Sequence, residues 1–96
     1  MMAETSSIPD DAVPALPRGV KFREDKARGR HVLLGPERIF EADPIATEIL
    51  KRVDGVTTFK GMLTQLTELF TADEATIRPD VEALLLDLRE RQMVTL

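Results

Sequence analysis

The chain contains no cysteine, tryptophan or tyrosine, and it has one histidine among its 96 residues. Without cysteine it forms no disulfide and offers no thiolate to a metal. Without tryptophan or tyrosine it lacks two of the rings that stack on nucleic-acid bases or cofactors. The leucine run Leu84-Leu85-Leu86 is far too short to span a bilayer, and no signal peptide is recognisable. We therefore expect a cytoplasmic protein that makes no membrane contact.

Residues suited to catalysis are equally scarce. His31 has no cysteine or second histidine as a partner, so we interpret it as an ordinary strand residue. Carboxylates are numerous, but helix caps and solvent-exposed helix faces account for them. The scattered glycines form no phosphate-binding loop. The sequence thus predicts a protein that is not an enzyme and has no metal site and no cofactor.

The N-terminal residues differ in composition from the rest. Residues 1–16 contain Pro9, Pro14 and two serines and few residues to bury, so we predict a disordered tail over 1–16 and one ordered domain over 17–96. Charge is also segregated. Residues 18–38 carry seven basic against three acidic side chains, whereas residues 39–96 carry six basic against eleven acidic ones. These charges serve to solvate a small domain, and the alternative is a basic face that meets an acidic partner.

Three short segments have strand character. Val20-Lys21-Phe22-Arg23 alternates apolar and basic residues, as a strand with one buried face does. His31–Leu34 and Arg38–Glu41 predict the second and third strands, with Gly35-Pro36 as the break between them. A sheet this small is not stable alone, so we predict an antiparallel meander that packs on helices.

Three helices are predicted after the strands, because apolar residues recur at helical spacing behind recognisable caps. The predicted caps are Asp43, followed by Pro44; then Thr57 or Thr58; then Thr71 or Asp73. Asp54-Gly55 is predicted to end the first helix. The predicted fold is α+β and winged-helix-like: a three-stranded antiparallel β-meander followed by a three-helix bundle, in the order βββααα.

Two kinds of binding fit this architecture. A winged helix suggests a nucleic-acid-binding domain, with Arg78, Arg89 and Arg91 as the bases of the last helix, but acidic residues interleave with them and would repel a duplex. Alternatively, an edge strand of the meander pairs with an extended peptide through its free N–H and C=O groups. We favour the peptide and keep nucleic acid as the alternative.

Several short motifs, in order, resemble the PqqD family of pyrroloquinoline quinone (PQQ) biosynthesis. They are Pro17-Arg18-Gly19, His31-Val32-Leu33-Leu34 with Pro36-Glu37, Ala46, Asp54-Gly55 and Asp80-Val81. The similarity runs from about Pro17 to Leu96. It implies a peptide chaperone, or RiPP recognition element, that binds the precursor peptide PqqA and presents it to the radical S-adenosylmethionine enzyme PqqE.

The resemblance also implies where the peptide binds. In this family the peptide is held as an added strand beside the third β-strand and against the last helix. Carried over position by position, the peptide-binding residues are Arg38, Ile39, Phe40, Glu41, Ala42, Asp80, Val81, Leu84, Leu85 and Leu88. Near the C-terminus, Arg91-Gln92-Met93-Val94 lacks the glycine that is frequent in the family.

Overall fold

The computed structural model describes residues 8–96, which form three strands followed by three helices. The elements are β1 (Lys21–Asp25), β2 (Arg30–Gly35), β3 (Arg38–Ala42), α1 (Pro44–Leu50), α2 (Phe59–Phe70) and α3 (Glu74–Glu90). The predicted α+β fold with the order βββααα is therefore confirmed.

The sheet is an antiparallel meander in the order β1-β2-β3. Its register places Phe22, Leu33 and Phe40 side by side. Leu33 is fully buried, and the two phenylalanines pack against the core from either side of it. One face of the sheet is thereby fixed against the helices, as the period of two residues requires.

Side-chain caps define the starts of the first two helices, as the sequence predicts. The carboxylate of Asp43 accepts a hydrogen bond from the amide of Ala46 at 2.7 Å. The hydroxyl of Thr58 accepts one from the amide of Gly61 at 3.0 Å. Asp73 occupies the N-cap position of α3, but its side chain makes no capping hydrogen bond. The start of α3 therefore depends more on packing than on a local cap.

Two of the helices end on a left-handed residue that is not glycine. After α2, Thr71 has a φ of 52°, and the next amide donates to the carbonyl of Thr67 at 3.1 Å. After α3, Gln92 has a φ of 62°, and the next amide donates to the carbonyl of Leu88 at 2.8 Å. Bonds that span five residues in this way belong to Schellman helix ends, which favour glycine at the left-handed position.

The N-terminal segment is more ordered than predicted. Residues 1–7 lie outside the described residues, but residues 8–16 differ from the expected disordered tail because they pack on the helical layer. Ile8 is only 2% exposed, and its amide donates to the carboxylate of Glu82 at 3.1 Å. Ala15 forms an isolated antiparallel bridge with Thr95 at the other end of the chain. We call residues 8–16 the N-terminal segment.

The physical reason for this order lies at the start of α2. The first amides of a helix have no partner within the helix. Here the amide of Phe59 donates to the carbonyl of Ala12 at 2.7 Å, and the amide of Lys60 donates to the carbonyl of Asp10 at 3.0 Å. The N-terminal segment thus satisfies donors that would otherwise be unpaired. Composition alone does not reveal such a role.

The core lies between the sheet and the helices, with α2 at its centre. Phe59, Met62, Leu63 and Leu66 of this helix are all fully buried. Within residues 8–96, no helix combines the length and the apolar character needed to cross a membrane.

Candidate functional site

Within residues 8–96, β3 pairs with β2 alone and is therefore a free edge of the sheet. A two-residue turn joins the two strands, with Gly35 and Arg38 as the closing, hydrogen-bonded pair. Since hydrogen-bonded and non-hydrogen-bonded pairs alternate along an antiparallel ladder, the N–H and C=O groups of Ile39 and Glu41 point away from β2. Among the described residues, no other backbone group pairs with them.

The five strand residues named from the resemblance lie on the two faces of β3. Ile39 is 67% exposed, and Glu41 is exposed on the same face. On the opposite face, Phe40 packs against the core and Ala42 is buried. Arg38 lies at the start of the strand, where its guanidinium donates to the carbonyl of Arg91 just after α3.

The helix residues named from the resemblance are less accessible. Val81, Leu85 and Leu88 are core residues, at most 3% exposed. Asp80 is exposed and Leu84 is half-buried. Only these last two therefore present their own side chains at the surface of α3, and the others support that surface from beneath.

An apolar pocket that the sequence reasoning missed lies among the three helices, and Ile45 at its border follows the last residue of β3 by three positions. It has a volume of about 260 Å³. Its lining residues are Ile45, Ile49, Leu66, Phe70, Ile77, Asp80 and Val81. Ile45 is 59% exposed and Phe70 is 39% exposed, so large apolar side chains border an open cavity. The sequence signal that could have revealed this pocket is Ile45, an apolar residue directly after the Asp43-Pro44 cap. It lies in the first turn of α1, where the core does not cover it.

The opposite end of β3 is basic. A groove of about 340 Å³ there is lined by Arg18, Arg38 and Arg91 together with apolar and backbone atoms. Arg91 pairs with Asp87 at 3.2 Å. Arg18 and Arg38 make no ion pair within residues 8–96. The free edge thus runs from a cationic end to an apolar end.

The carboxylate of Glu41 already forms ion pairs within the molecule. It pairs with Arg30 at 2.6 Å and with Arg28 at 3.7 Å, both from the β1–β2 hairpin. These exposed ion pairs add little stability but keep Glu41 from repelling an acidic peptide at the edge.

Arg78, one of the bases considered for nucleic-acid contact, is engaged within the molecule. Its guanidinium pairs with Asp10 at 2.6 Å and with Glu74 at 3.0 Å, and its central carbon lies 5.1 Å from the ring centre of Phe59. The hydrogen bond to Asp10 raises the pKa of Arg78 further. This arginine therefore ties the N-terminal segment to α3 instead of facing a ligand.

His31 behaves as a packing residue. Its ring stacks on that of Phe22, with ring centres 5.2 Å apart. Within residues 8–96, no group of three or more histidine, aspartate or glutamate side chains comes together as metal ligands.

A free strand edge beside a helical pocket defines a class of small domains that accept an extended peptide as an additional strand. Comparison with known proteins assigns the chain within that class. Residues 30–94 match the family described as "Coenzyme PQQ synthesis protein D (PqqD)". The chain belongs to the PqqD family.

Curated relatives and solved structures agree. The chain is 40% identical to the "PqqA binding protein" of Rhodopseudomonas palustris (strain BisB5), over 99% of this chain and 93% of that protein. It is 39% identical to the "Bifunctional coenzyme PQQ synthesis protein C/D" of Methylorubrum extorquens, over 96% of this chain but 25% of that larger protein. The first of these alignments includes residues before Pro17, so the similarity extends further toward the N-terminus than the motifs indicate.

Among solved structures, the chain is similar to the solution structure of the PqqD truncation of Methylobacterium extorquens PqqCD, a RiPP recognition element. The TM-score is 0.79 at 38% identity, over 97% of this chain and 99% of that one. The crystal structure of PqqD from Xanthomonas campestris aligns with a TM-score of 0.58 at 37% identity, over 94% of this chain and all of that one.

Proposed function

We propose that this chain binds the precursor peptide PqqA and presents it to the radical S-adenosylmethionine enzyme PqqE. The observation that carries the first part is the 40% identity, over 99% of the chain, to a PqqA binding protein. Presentation to PqqE follows from the family resemblance. The similarity to one part of a bifunctional PQQ synthesis protein supports a place in the same pathway.

The peptide pairs with β3 as a fourth strand. The N–H and C=O groups of Ile39 and Glu41 supply the main-chain hydrogen bonds, and these are independent of peptide sequence. Specificity comes from side chains, because alternate residues of the bound strand face the helices. The binding residues we propose on the strand are Arg38, Ile39, Phe40, Glu41 and Ala42.

On the helical side, the proposed surface is α3 from Asp80 to Leu88, with Val81, Leu84 and Leu85 between them. We extend it to the apolar pocket bordered by Ile45 and Phe70, which is open enough to take a large apolar side chain. Apolar anchors of this kind dominate the affinity of most peptide complexes.

The chain acts by holding the peptide and not by chemistry of its own. Ordering a disordered peptide costs conformational entropy, which offsets part of the contact energy. We therefore propose a non-catalytic role without cofactor or metal. We also propose that the chain acts in the cytoplasm, where proteins rarely contain disulfides and this chain, which has no cysteine, needs none.

An amide NMR titration with synthetic PqqA peptide tests the proposal. We expect saturable shifts in β3, in residues 80–88 and around Ile45 and Phe70. Shifts confined to other residues would keep the function and refute this site. An absence of shifts at high peptide excess, with or without PqqE present, would refute the function.

A proline variant tests the strand pairing directly. Ile39→Pro removes an outward amide without breaking the ladder to β2, because proline is tolerated at a free edge. We expect the dissociation constant of the peptide to rise about fivefold to tenfold, because the loss of one net hydrogen bond weakens binding by about that factor. The matched control is Glu24→Pro, on the opposite edge of the sheet, which should leave peptide affinity unchanged. Equal affinities of the two variants would exclude pairing at β3.

A further inference from the structure

The sheet has a second face, which the helices do not cover. Two rows of residues cross it: Lys21, Leu34 and Ile39 in one row, and Arg23, Val32 and Glu41 in the other. Val32 and Leu34 are half-buried, yet they are not among the residues that form or pack against the core. Ile39 next to Leu34 is 67% exposed. We call these six residues the outer face.

The charges of the outer face are uneven. Lys21 and Arg23 on β1 are exposed and take part in no ion pair within residues 8–96. On the β3 side, Glu41 is neutralised by two arginines. A protein that covers the apolar centre of this face therefore gains by placing carboxylates over Lys21 and Arg23.

We propose that the outer face is the surface on which the peptide-modifying enzyme docks, an inference that rests on the proposed function. A peptide paired with β3 extends both rows of the outer face by one residue each. Its alternate side chains then lie beside Ile39 and Glu41, on the face away from the helices. An enzyme seated there contacts the domain and the peptide together. The complementary enzyme surface is apolar at its centre and bears carboxylates toward β1.

The size of the face has a consequence for affinity. The three strands of the domain, at five residues each, cover roughly 240 Å², whereas a stable interface buries about 800 Å² on each partner. The domain alone is thus a weak ligand for the enzyme. The bound peptide adds contact area beside β3, so the enzyme binds the loaded domain more tightly than the empty one.

Matched charge reversals test the inference, with PqqE binding to the preformed chain–PqqA complex measured by calorimetry. Arg23→Glu should weaken enzyme binding about tenfold, because it replaces an attractive charge with a repulsive one. Arg89→Glu makes the same change on α3, where the arginine is likewise exposed and in no ion pair within residues 8–96, and should have less than about a twofold effect. Leu34→Thr should weaken enzyme binding about fivefold through the apolar centre alone.

Peptide affinity, measured by the NMR titration, is the second readout and should change by less than about twofold in all three variants, because the changed residues lie outside the proposed peptide site and long-range charge effects are screened by salt. The inference is overturned if Arg23→Glu and Leu34→Thr bind peptide normally and enzyme as tightly as the unmodified chain does. It is also overturned if Arg89→Glu weakens enzyme binding as much as Arg23→Glu. By contrast, failure of the unmodified chain to bind peptide, or of its complex to bind enzyme, would refute the proposed function itself.

Discussion

At the residue scale, the ends of α2 and α3 place ordinary side chains where glycine is favoured. Thr71 is the more strained case, because a β-branched residue at positive φ brings its side chain close to the backbone. We expect Thr71→Gly to raise the free energy of unfolding by about 1 kcal/mol, and Gln92→Gly to raise it by less. Urea denaturation measures both.

The control for this prediction is Thr64→Gly, an exposed position inside α2. There glycine loses helix propensity without relieving strain, so stability should fall. If both variants changed the free energy of unfolding in the same direction, Thr71 would not be strained at the end of α2.

Asp54 is the residue whose charge is most clearly tied to local structure. The amides of Thr57 and Val56 donate to its carboxylate at 2.7 and 2.9 Å, and the Thr57 hydroxyl donates at 2.8 Å. These hydrogen bonds, the Thr57 amide first, hold the pKa of Asp54 below its ordinary value of 3.8. The carboxylate therefore stabilises the fold above that pH, and the stabilisation is lost as the pH falls through the lower native pKa.

We expect Asp54→Ala to lower stability at neutral pH and to flatten the loss of stability between about pH 5 and about pH 2. Thermal unfolding across that range measures the slope. Glu68→Ala removes an exposed carboxylate with no ion pair within residues 8–96 and should keep the slope of the unmodified chain. An unchanged slope in Asp54→Ala would show that this loop does not contribute to acid unfolding.

At the element scale, the N-terminal segment acts as a part of the helical domain. Ile8→Ala removes a fully packed side chain, and we expect the free energy of unfolding to fall by about 2 kcal/mol, the lower end for a buried isoleucine. Chemical denaturation gives this value. Val56→Ala, at a position 80% exposed, is the matched apolar truncation and should have little effect. Equal effects of the two would mean that the segment does not pack on the domain in solution.

Most of the elements that local chemistry determines were predictable, but the predicted end of α1 at Asp54-Gly55 was wrong, since the helix ends at Leu50. Asp43 and Thr58 cap helices as expected, alternation identified the first strand, and the break at Gly35-Pro36 separated the other two. The N-terminal segment was not predictable, because its order depends on partners far along the chain. The contact between Ile8 and Glu82 spans 74 residues.

The candidate site was predictable only in part, since its position along the chain follows from the sequence but the depth of its side chains does not. Periodicity shows which face of α3 is apolar, but it does not show how deeply a residue lies, so core residues such as Leu85 and Leu88 were named with the surface residue Asp80. The exposure of Ile45 and Phe70 depends on how three helices diverge. Helix divergence is a tertiary property that no local pattern encodes.

At the scale of the whole molecule, the charge segregation of the sequence becomes a spatial one. The sheet and the turns around it carry the basic excess, and the helices carry the acidic one. Arg18 and Arg38, which make no ion pair with any residue from 8 to 96, bring positive charge to the start of the free edge. An acidic peptide that approaches β3 therefore meets an attractive field before it makes any contact.

This field predicts a salt dependence of peptide binding. The Debye length is about 10 Å at 0.1 M salt and about 3 Å at 1 M, so charges beside the edge act on the peptide at low salt and are screened at high salt. We expect the dissociation constant of PqqA peptide to rise several-fold between about 0.05 and about 0.5 M sodium chloride. Fluorescence anisotropy of a labelled peptide measures this dissociation constant.

A peptide with its acidic residues changed to glutamine separates screening from other effects of salt, because it should bind more weakly and almost independently of salt. If both peptides respond equally to salt, apolar contacts and main-chain pairing alone set the affinity, and the basic end of the edge has no part in binding.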